Sequence, residues 1–283
     1  MTGKAQTKQT QPDYWSIDEA EQHVFQPIVN RSPKTLTESQ ISYFNENGFI
    51  EKLHLFDSME ANEHRRKFDS LLAEFQRRSR DAYSINGYQT RIDFIWDIAT
   101  NPLLLDYVED LLGPNIVLWG SHYFCKSPSD LREVPFHQDA TYWPFRPFKT
   151  VTVWLAVDDV SRNMGPMCFM PGSHRDGKLA WRQRNENVVL GLEVEDYTRY
   201  GKPQPLLLKA GEFSLHADLL VHGSKPNKSD KRRCGLTLRY VPPDVRLIDE
   251  RYANWIKNAI ICRGEDTSGY WPKQTRPPAA LID

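Results

Sequence analysis

The chain changes its hydrophobic rhythm once. Up to about residue 113 apolar residues recur at helical spacing among charges, and from Ile116 onward they gather into short β-rich runs. Thr37 followed by Gln40 reads as a capping box, with Ile41, Tyr43 and Phe44 opening an amphipathic helix that should stop near Gly48. Asp57 or Ser58 can cap a longer helix whose apolar stripe is Phe68, Leu71, Leu72 and Phe75. Asn101-Pro102 opens a third, with Leu104, Leu105, Val108 and Leu111 inside and Gly113 at its end. Beyond it, Ile116 to Trp119, Val151 to Val157, Cys168 to Met170, Phe213 to His216 and Leu236 to Val241 are strand-like and separated by Pro, Gly, Asn and Asp. Strands of this size in an antiparallel double sheet make a jelly roll. The pattern therefore predicts an α+β, mainly β protein, with helices over about 35–113, a jelly-roll core over about 114–245 and a C-terminal strap over 246–283. Residues 1–12 are polar and predicted to be disordered, leaving 13–283 as one domain.

Composition narrows the partners. The 283 residues carry a net charge of -1, which supplies no basic field for nucleic acid or an anionic membrane. No apolar stretch has the length of a membrane span or follows a signal-peptide pattern, so a soluble, cytoplasmic protein is expected. Cys125, Cys168, Cys234 and Cys262 are widely spaced and read as reduced thiols. Oligomeric state is not legible.

The candidate chemistry begins at Pro135-Phe136-His137-Gln138-Asp139. On an extended strand residues i and i+2 share a face, so His137 and Asp139 can reach one cation while Gln138 turns away. A distant His222 would complete two imidazoles and one carboxylate, the ligand set of non-haem Fe(II) oxygenases. A second pair, His216-Ala217-Asp218, lies near His222. An extended strand would put residues 216 and 222 roughly 20 Å apart, too far for one metal, so His216 is expected to be structural or on the surface. Arg233 can offer a two-pronged donor, with the Ser224 hydroxyl beside it, to the distal carboxylate of 2-oxoglutarate.

The order of these pieces is similar to that of the phytanoyl-CoA dioxygenase family of Fe(II)/2-oxoglutarate oxygenases. The resemblance covers His137-Gln138-Asp139, Tyr142-Trp143-Pro144-Phe145-Arg146-Pro147, Trp154, Asn163 to Gly165, Pro171-Gly172-Ser173-His174, Gly211-Glu212, His222-Gly223-Ser224 and Arg232-Arg233. It implies a cupin-like double-stranded β-helix with the N-terminal helices packed outside. It also implies His137, Asp139 and His222 as catalytic iron ligands, with Arg233 and Ser224 anchoring the co-substrate. Trp154 resembles a position lining the co-substrate pocket, although a Trp inside the apolar run Val151 to Ala156 fits core packing equally well. Asn163-Met164-Gly165 stands where the family usually reads Asn-Gly. Family members that halogenate have a small residue in place of the carboxylate. Asp139 therefore points to hydroxylation, consuming 2-oxoglutarate and O2 and giving succinate and CO2.

For the small-molecule substrate, Trp119, Tyr123, Tyr142 and Trp143 are expected on or beside cavity strands, where aromatic faces suit an alkylammonium group. Core packing is the competing reading for each. Arg91 and Lys126 are candidates to receive a carboxylate or phosphonate. Around Trp119 to Trp143 the chain resembles bacterial members acting on aminoethylphosphonates, including the trimethylammonium form. Amino acids, betaines and acyl-CoA remain as other substrate classes. A hydrolase or nucleotide-binding transferase would need Gly-x-Ser-x-Gly or a phosphate loop, and neither occurs. A non-catalytic binding barrel would be expected to lose a ligand or the Arg.

Overall fold

The computed structural model describes residues 24–78, 80 and 83–278, so the polar segment 1–12 lies outside the described residues. Three helices start and stop where their caps require. Thr37 and Gln40 form a reciprocal capping box on α1 (Glu38–Asn47), and Gly48, at φ 85°, closes it in the left-handed region. Asp57 and Glu60 do the same for α2 (Ser58–Arg77). A further helix, α3 (Asp93–Ala99), has no side-chain cap and spans only seven residues, which hid it from the sequence pattern. Asn101 caps α4 (Pro102–Leu112), with Pro102 in its first turn.

The helices do not all precede the strands. Phe49–His54 follows α1 and pairs with Glu212–Ala217 at the edge of the main sheet, and Ser84–Asn86 pairs with Ile116–Lys126. Both are short. The first also carries Glu51 and Lys52 at a register slip between Ile50 and Leu53, which breaks the two-residue alternation. The strap also joins the sheet, because Ile260–Arg263 pairs with Ile116–Lys126. The main sheet runs Phe49–His54, Glu212–Ala217, Val151–Ala156, Arg233–Val241, Ile116–Lys126, Ile260–Arg263, all antiparallel. A second sheet runs Gln204–Pro205, Met167–Phe169, His222–Ser224, Val134–His137. Together they form the double-stranded β-helix, with helices outside.

The main sheet is buried on both faces, which is why its strands read as nearly continuous apolar runs. On Arg233–Val241 the alternation divides two environments. Cys234, Leu236, Leu238 and Tyr240 join the core under the helices, with Phe68, Ile95, Leu104 and Val108. Arg233, Thr237 and Arg239 line an internal cavity on the other face. On the neighbouring strand, pairing slips between Arg239 opposite Gly120 and Tyr240 opposite Leu118. Trp119 is the extra residue, so Trp119 and Gly120 both line the cavity, and the parity inverts afterwards. Tyr123 consequently lies in the helix-side core against Phe68, with ring centroids 4.6 Å apart, and hydrogen-bonds His64 at 2.9 Å. Among the described residues no helix is long and apolar enough to cross a membrane.

Gly235 sits where Trp154 crosses the strand. A Cβ there would lie 2.2 Å from Trp154 Cζ2. Gly235→Ala is expected to destabilise the fold by about 1–3 kcal/mol, the cost of overpacking a filled interior, and urea denaturation measures it. A midpoint equal to that of the unaltered protein would contradict this packing.

Candidate active site

The site begins with one cross-strand pair. His137 ends its strand directly opposite His222 in the second sheet, and the imidazole centroids are 4.4 Å apart. Asp139 is not on that strand, contrary to the extended geometry expected. It opens a 3-10 turn, Asp139–Thr141, that bends the carboxylate back beneath the imidazoles. Gln138 turns away as expected and fixes the bend: its Nε2 donates to the carbonyls of Gly177 and Leu219, and its Oε1 accepts from Leu179 N–H. Ligand atoms of His137, Asp139 and His222 lie within 4.8 Å of one another, all buried.

The donor set fits iron. His137 Nδ1 is 2.8 Å from the Pro135 carbonyl and His222 Nδ1 is 3.0 Å from the Leu220 carbonyl. Each carbonyl only accepts, so each Nδ1 carries the proton and each Nε2 keeps its lone pair for a metal. Burial, with His137 adjacent, pulls His222 down to about 3 and keeps it neutral.

His216 is neither on the surface nor remote. The chain turns back after Ala217, and His216 becomes a third imidazole beside the ligands, its Nε2 3.8 Å from Asp139 Oδ2. It is buried, lines the cavity, and leaves Nδ1 without a partner. Asp218 takes no part, because its Oδ2 accepts the Thr150 N–H at 3.0 Å.

Arg233 reaches the same cavity. Its Nη2 donates to the Gly165 carbonyl at 2.9 Å and lies 3.3 Å from Ser224 Oγ, while its buried Nε has no partner. An orphaned guanidinium N–H beside a hydroxyl fits the distal carboxylate of 2-oxoglutarate. Gly165 holds its turn at φ 63°, where a Cβ would meet the Lys225 carbonyl at 2.3 Å; the inserted Met164 is absorbed in a 3-10 turn before it. Trp154 lines the cavity and lies 5.9 Å from the Arg233 guanidinium.

Residues 44–235 match the phytanoyl-CoA dioxygenase (PhyH) family. The chain belongs to that family. It is therefore a 2-oxoglutarate-dependent non-haem iron dioxygenase that uses iron, 2-oxoglutarate and O2. It is 25% identical over 267 residues to peroxisomal phytanoyl-CoA dioxygenase of Homo sapiens, covering 84% of this chain and 78% of the human protein. It is 30% identical over 160 residues to a probable alpha-ketoglutarate-dependent hypophosphite dioxygenase of Stutzerimonas stutzeri, covering 54% of each. The non-heme monooxygenase ThoJ shares the fold, with a TM-score of 0.70 at 24% identity over 84% of this chain and 88% of ThoJ.

In this PhyH chain the cavity has a volume of about 600 Å³ and holds His137, Asp139 and His222 together with Arg233 and Trp154. Trp119, Tyr142 and Trp143 line it, and Arg91 reaches it from an exposed position. Two candidates for substrate contact do not line it. Tyr123 is on the helix side of the sheet, for the reason of parity given above. Lys126 is buried with Nζ donating to the carbonyls of Arg132, Ser224 and Lys225, so its donors serve the backbone rather than an anion. Burial, with Arg233 nearby, lowers it to about 6. Among the lining residues that the sequence did not point to are Arg239, Thr152, Tyr252 and Trp255. The alternation offered a sign for Arg239, a charge six places after Arg233 in a strand whose intervening residues are uncharged.

Asp218 provides a test of the electrostatics. Burial raises its carboxyl from 3.8 to about 7, against the hydrogen bond from Thr150. Between those values the folded state binds more protons than the unfolded chain, so this group subtracts stability as pH rises through the window. Asp218→Asn keeps an acceptor for Thr150 and removes the charge. The variant's gain in melting temperature should be larger at pH 8 than at pH 5; an equal or reversed difference would remove Asp218 as the cause.

Proposed function

We propose that this oxygenase hydroxylates a small polar substrate, with an aminoethylphosphonate, including the 2-(trimethylammonio) form, as first candidate and the carbon next to phosphorus as the position oxidised. The observation that carries the reading is the convergence of His137, Asp139 and His222 in the same internal cavity as Arg233. That cavity is sized for a small molecule. Support for phosphorus chemistry comes from the relative named as a hypophosphite dioxygenase.

Bound iron and 2-oxoglutarate supply the oxidising power, so that O2 and 2-oxoglutarate become succinate, CO2 and one hydroxyl group on the substrate. The protein's own residues do the positioning. His137 and His222 present unprotonated Nε2 atoms, each oriented through an Nδ1–H to a backbone carbonyl. Asp139 contributes the negative charge, and the Gln138 hydrogen bonds keep its turn in place. Arg233 and Ser224 hold the distal carboxylate of the co-substrate, with Trp154 as the adjoining wall. The aromatic wall of Trp119, Tyr142 and Trp143 excludes water around the C–H bond that reacts.

The test is succinate formation with Fe(II) and O2 across aminoethylphosphonates carrying zero to three N-methyl groups, betaines, amino acids and phytanoyl-CoA. One phosphonate should stimulate turnover strongly and gain one oxygen. Slow turnover indifferent to every compound would reject the substrate class while leaving the iron site. In calorimetry, His137→Ala or Asp139→Ala should abolish iron-dependent binding of 2-oxoglutarate. Arg233→Gln should weaken it by roughly 30-fold or more, the scale of losing a buried charge partner, with iron retained. Persistence of tight binding in these variants would sink the assignment of roles.

A further inference from the structure

The cavity contains a second buried guanidinium at some distance from the first. Arg239 is 7% exposed and lines the cavity, yet its Nε has no partner. Among the described residues its side chain makes no hydrogen bond or ion pair, and the guanidinium lies over aromatic faces. Its Cζ lies 4.9 Å from the Trp143 ring and 5.4 Å from the Trp119 ring. Across the sheet stands Gly120, where a Cβ would lie 3.6 Å from Arg239 Nη1 in ordinary contact, so only a larger, branched side chain there would press on the guanidinium. The bulge at Trp119 turns that indole to the cavity side. Burial lowers Arg239 to about 10, with Asp139 opposing, and the group remains a cation at neutral pH.

A buried, charged donor without an acceptor is costly unless a ligand satisfies it. The co-substrate has its own cation. Arg233 and Arg239 are six residues apart on one strand, roughly 20 Å of extended backbone, and Arg233 is tied at its end to Gly165 and Ser224. A five-carbon diacid has two carboxylates; Arg233 would hold one, and the other would sit at the cation that His137, Asp139 and His222 would hold, so the co-substrate does not call for Arg239.

We infer that Arg239 is the substrate-specificity residue of this oxygenase: it binds an oxyanion of the substrate, a phosphonate or a carboxylate, at the end of the cavity walled by Trp119 and Trp143. This deepens the proposed function and rests on it. It also reverses the roles expected of the wall. The faces of Trp119 and Trp143 are engaged by the protein's own guanidinium, so they stabilise the anion receptor and do not form a cage for the substrate's ammonium group. The anionic end of a zwitterion is held here, and its cationic end points away. Arg91, exposed at the cavity, is screened by water and is the weaker site for the anion.

The experiment uses the full chain loaded with Fe(II) and 2-oxoglutarate without oxygen, titrated calorimetrically with ethylphosphonate, propionate and neutral propionamide. One oxyanion should bind and propionamide should not, and comparison of the first two decides between phosphonate and carboxylate. Arg239→Met, which keeps an apolar stem between the indoles, should weaken oxyanion binding by roughly 30-fold or more. Arg239→Lys should restore part of it, and 2-oxoglutarate affinity should stay within about twofold, unlike Arg233→Gln. Gly120→Val, which crowds the guanidinium without removing it, should weaken the oxyanion in the same direction and provides a second route if Arg239→Met folds poorly. Unchanged oxyanion affinity in both variants, propionamide binding as tightly as propionate, or no oxyanion binding to the unaltered protein would overturn the subsite. Loss of 2-oxoglutarate from Arg239→Met would instead make Arg239 a co-substrate anchor. None of these outcomes depends on turnover, so failure of the subsite is separable from failure of the succinate assay.

Discussion

The site depends on one register: His222 opposite His137 in the second sheet. That pairing brings together two imidazoles separated by more than eighty residues of chain. Each then uses its Nδ1 on the backbone carbonyl two residues before it, so the strands orient both rings without help from other side chains. A slip of one residue on either strand would turn an imidazole to the opposite face of the sheet. The second strand is only three residues long, and it is flanked by Met167–Phe169 on its other side, which leaves it little freedom to slip. Asp139 is brought in by the turn that follows, held by Gln138 from the face away from the imidazoles.

A second constraint is the alternation along Arg233–Val241. The helices need an apolar face to bury, and this strand supplies Cys234, Leu236, Leu238 and Tyr240 to it. The opposite face is then free to be polar, and Arg233, Thr237 and Arg239 occupy it. The same backbone therefore serves stability and chemistry at alternate residues. The cost is two buried guanidinium groups with unpartnered Nε atoms, which neither the apolar core nor solvent can satisfy. Such groups are tolerable in a cavity that receives anions. Gly235 marks where this face runs short of space, beneath Trp154.

Much of the helical layer was legible because its signals are local. A capping residue and its partner three positions later define an N-terminus with no reference to the rest of the chain, as Thr37 with Gln40 and Asp57 with Glu60 show. The uncapped α3 and the edge strand Phe49–His54 were missed on the same grounds, since one lacks a cap and the other a clean alternation. In the site, residue types and their order pointed to the ligand set, but not to the bend at Asp139 or to His216 beside it. The extrapolation for His216 assumed an extended chain, and the turn after Ala217 cancels it.

By itself the sequence determined the helix boundaries with caps, the change from helical to strand periodicity, the ligand chemistry and the candidate anchor for the co-substrate. These follow from short-range stereochemistry and from what each side chain is able to donate or accept. Only the tertiary structure decided which residues face the cavity. A single extra residue at Trp119 inverts the strand's parity, sending Tyr123 to the helices, and a bulge is defined by the partner strand rather than by the residues within it. Lys126 was lost to three backbone carbonyls that the fold places around it, and the Arg239 side chain was left without an ion pair because no carboxylate was brought within contact of it. The availability of a charge for a ligand is settled by what the fold packs beside it, and that information is non-local.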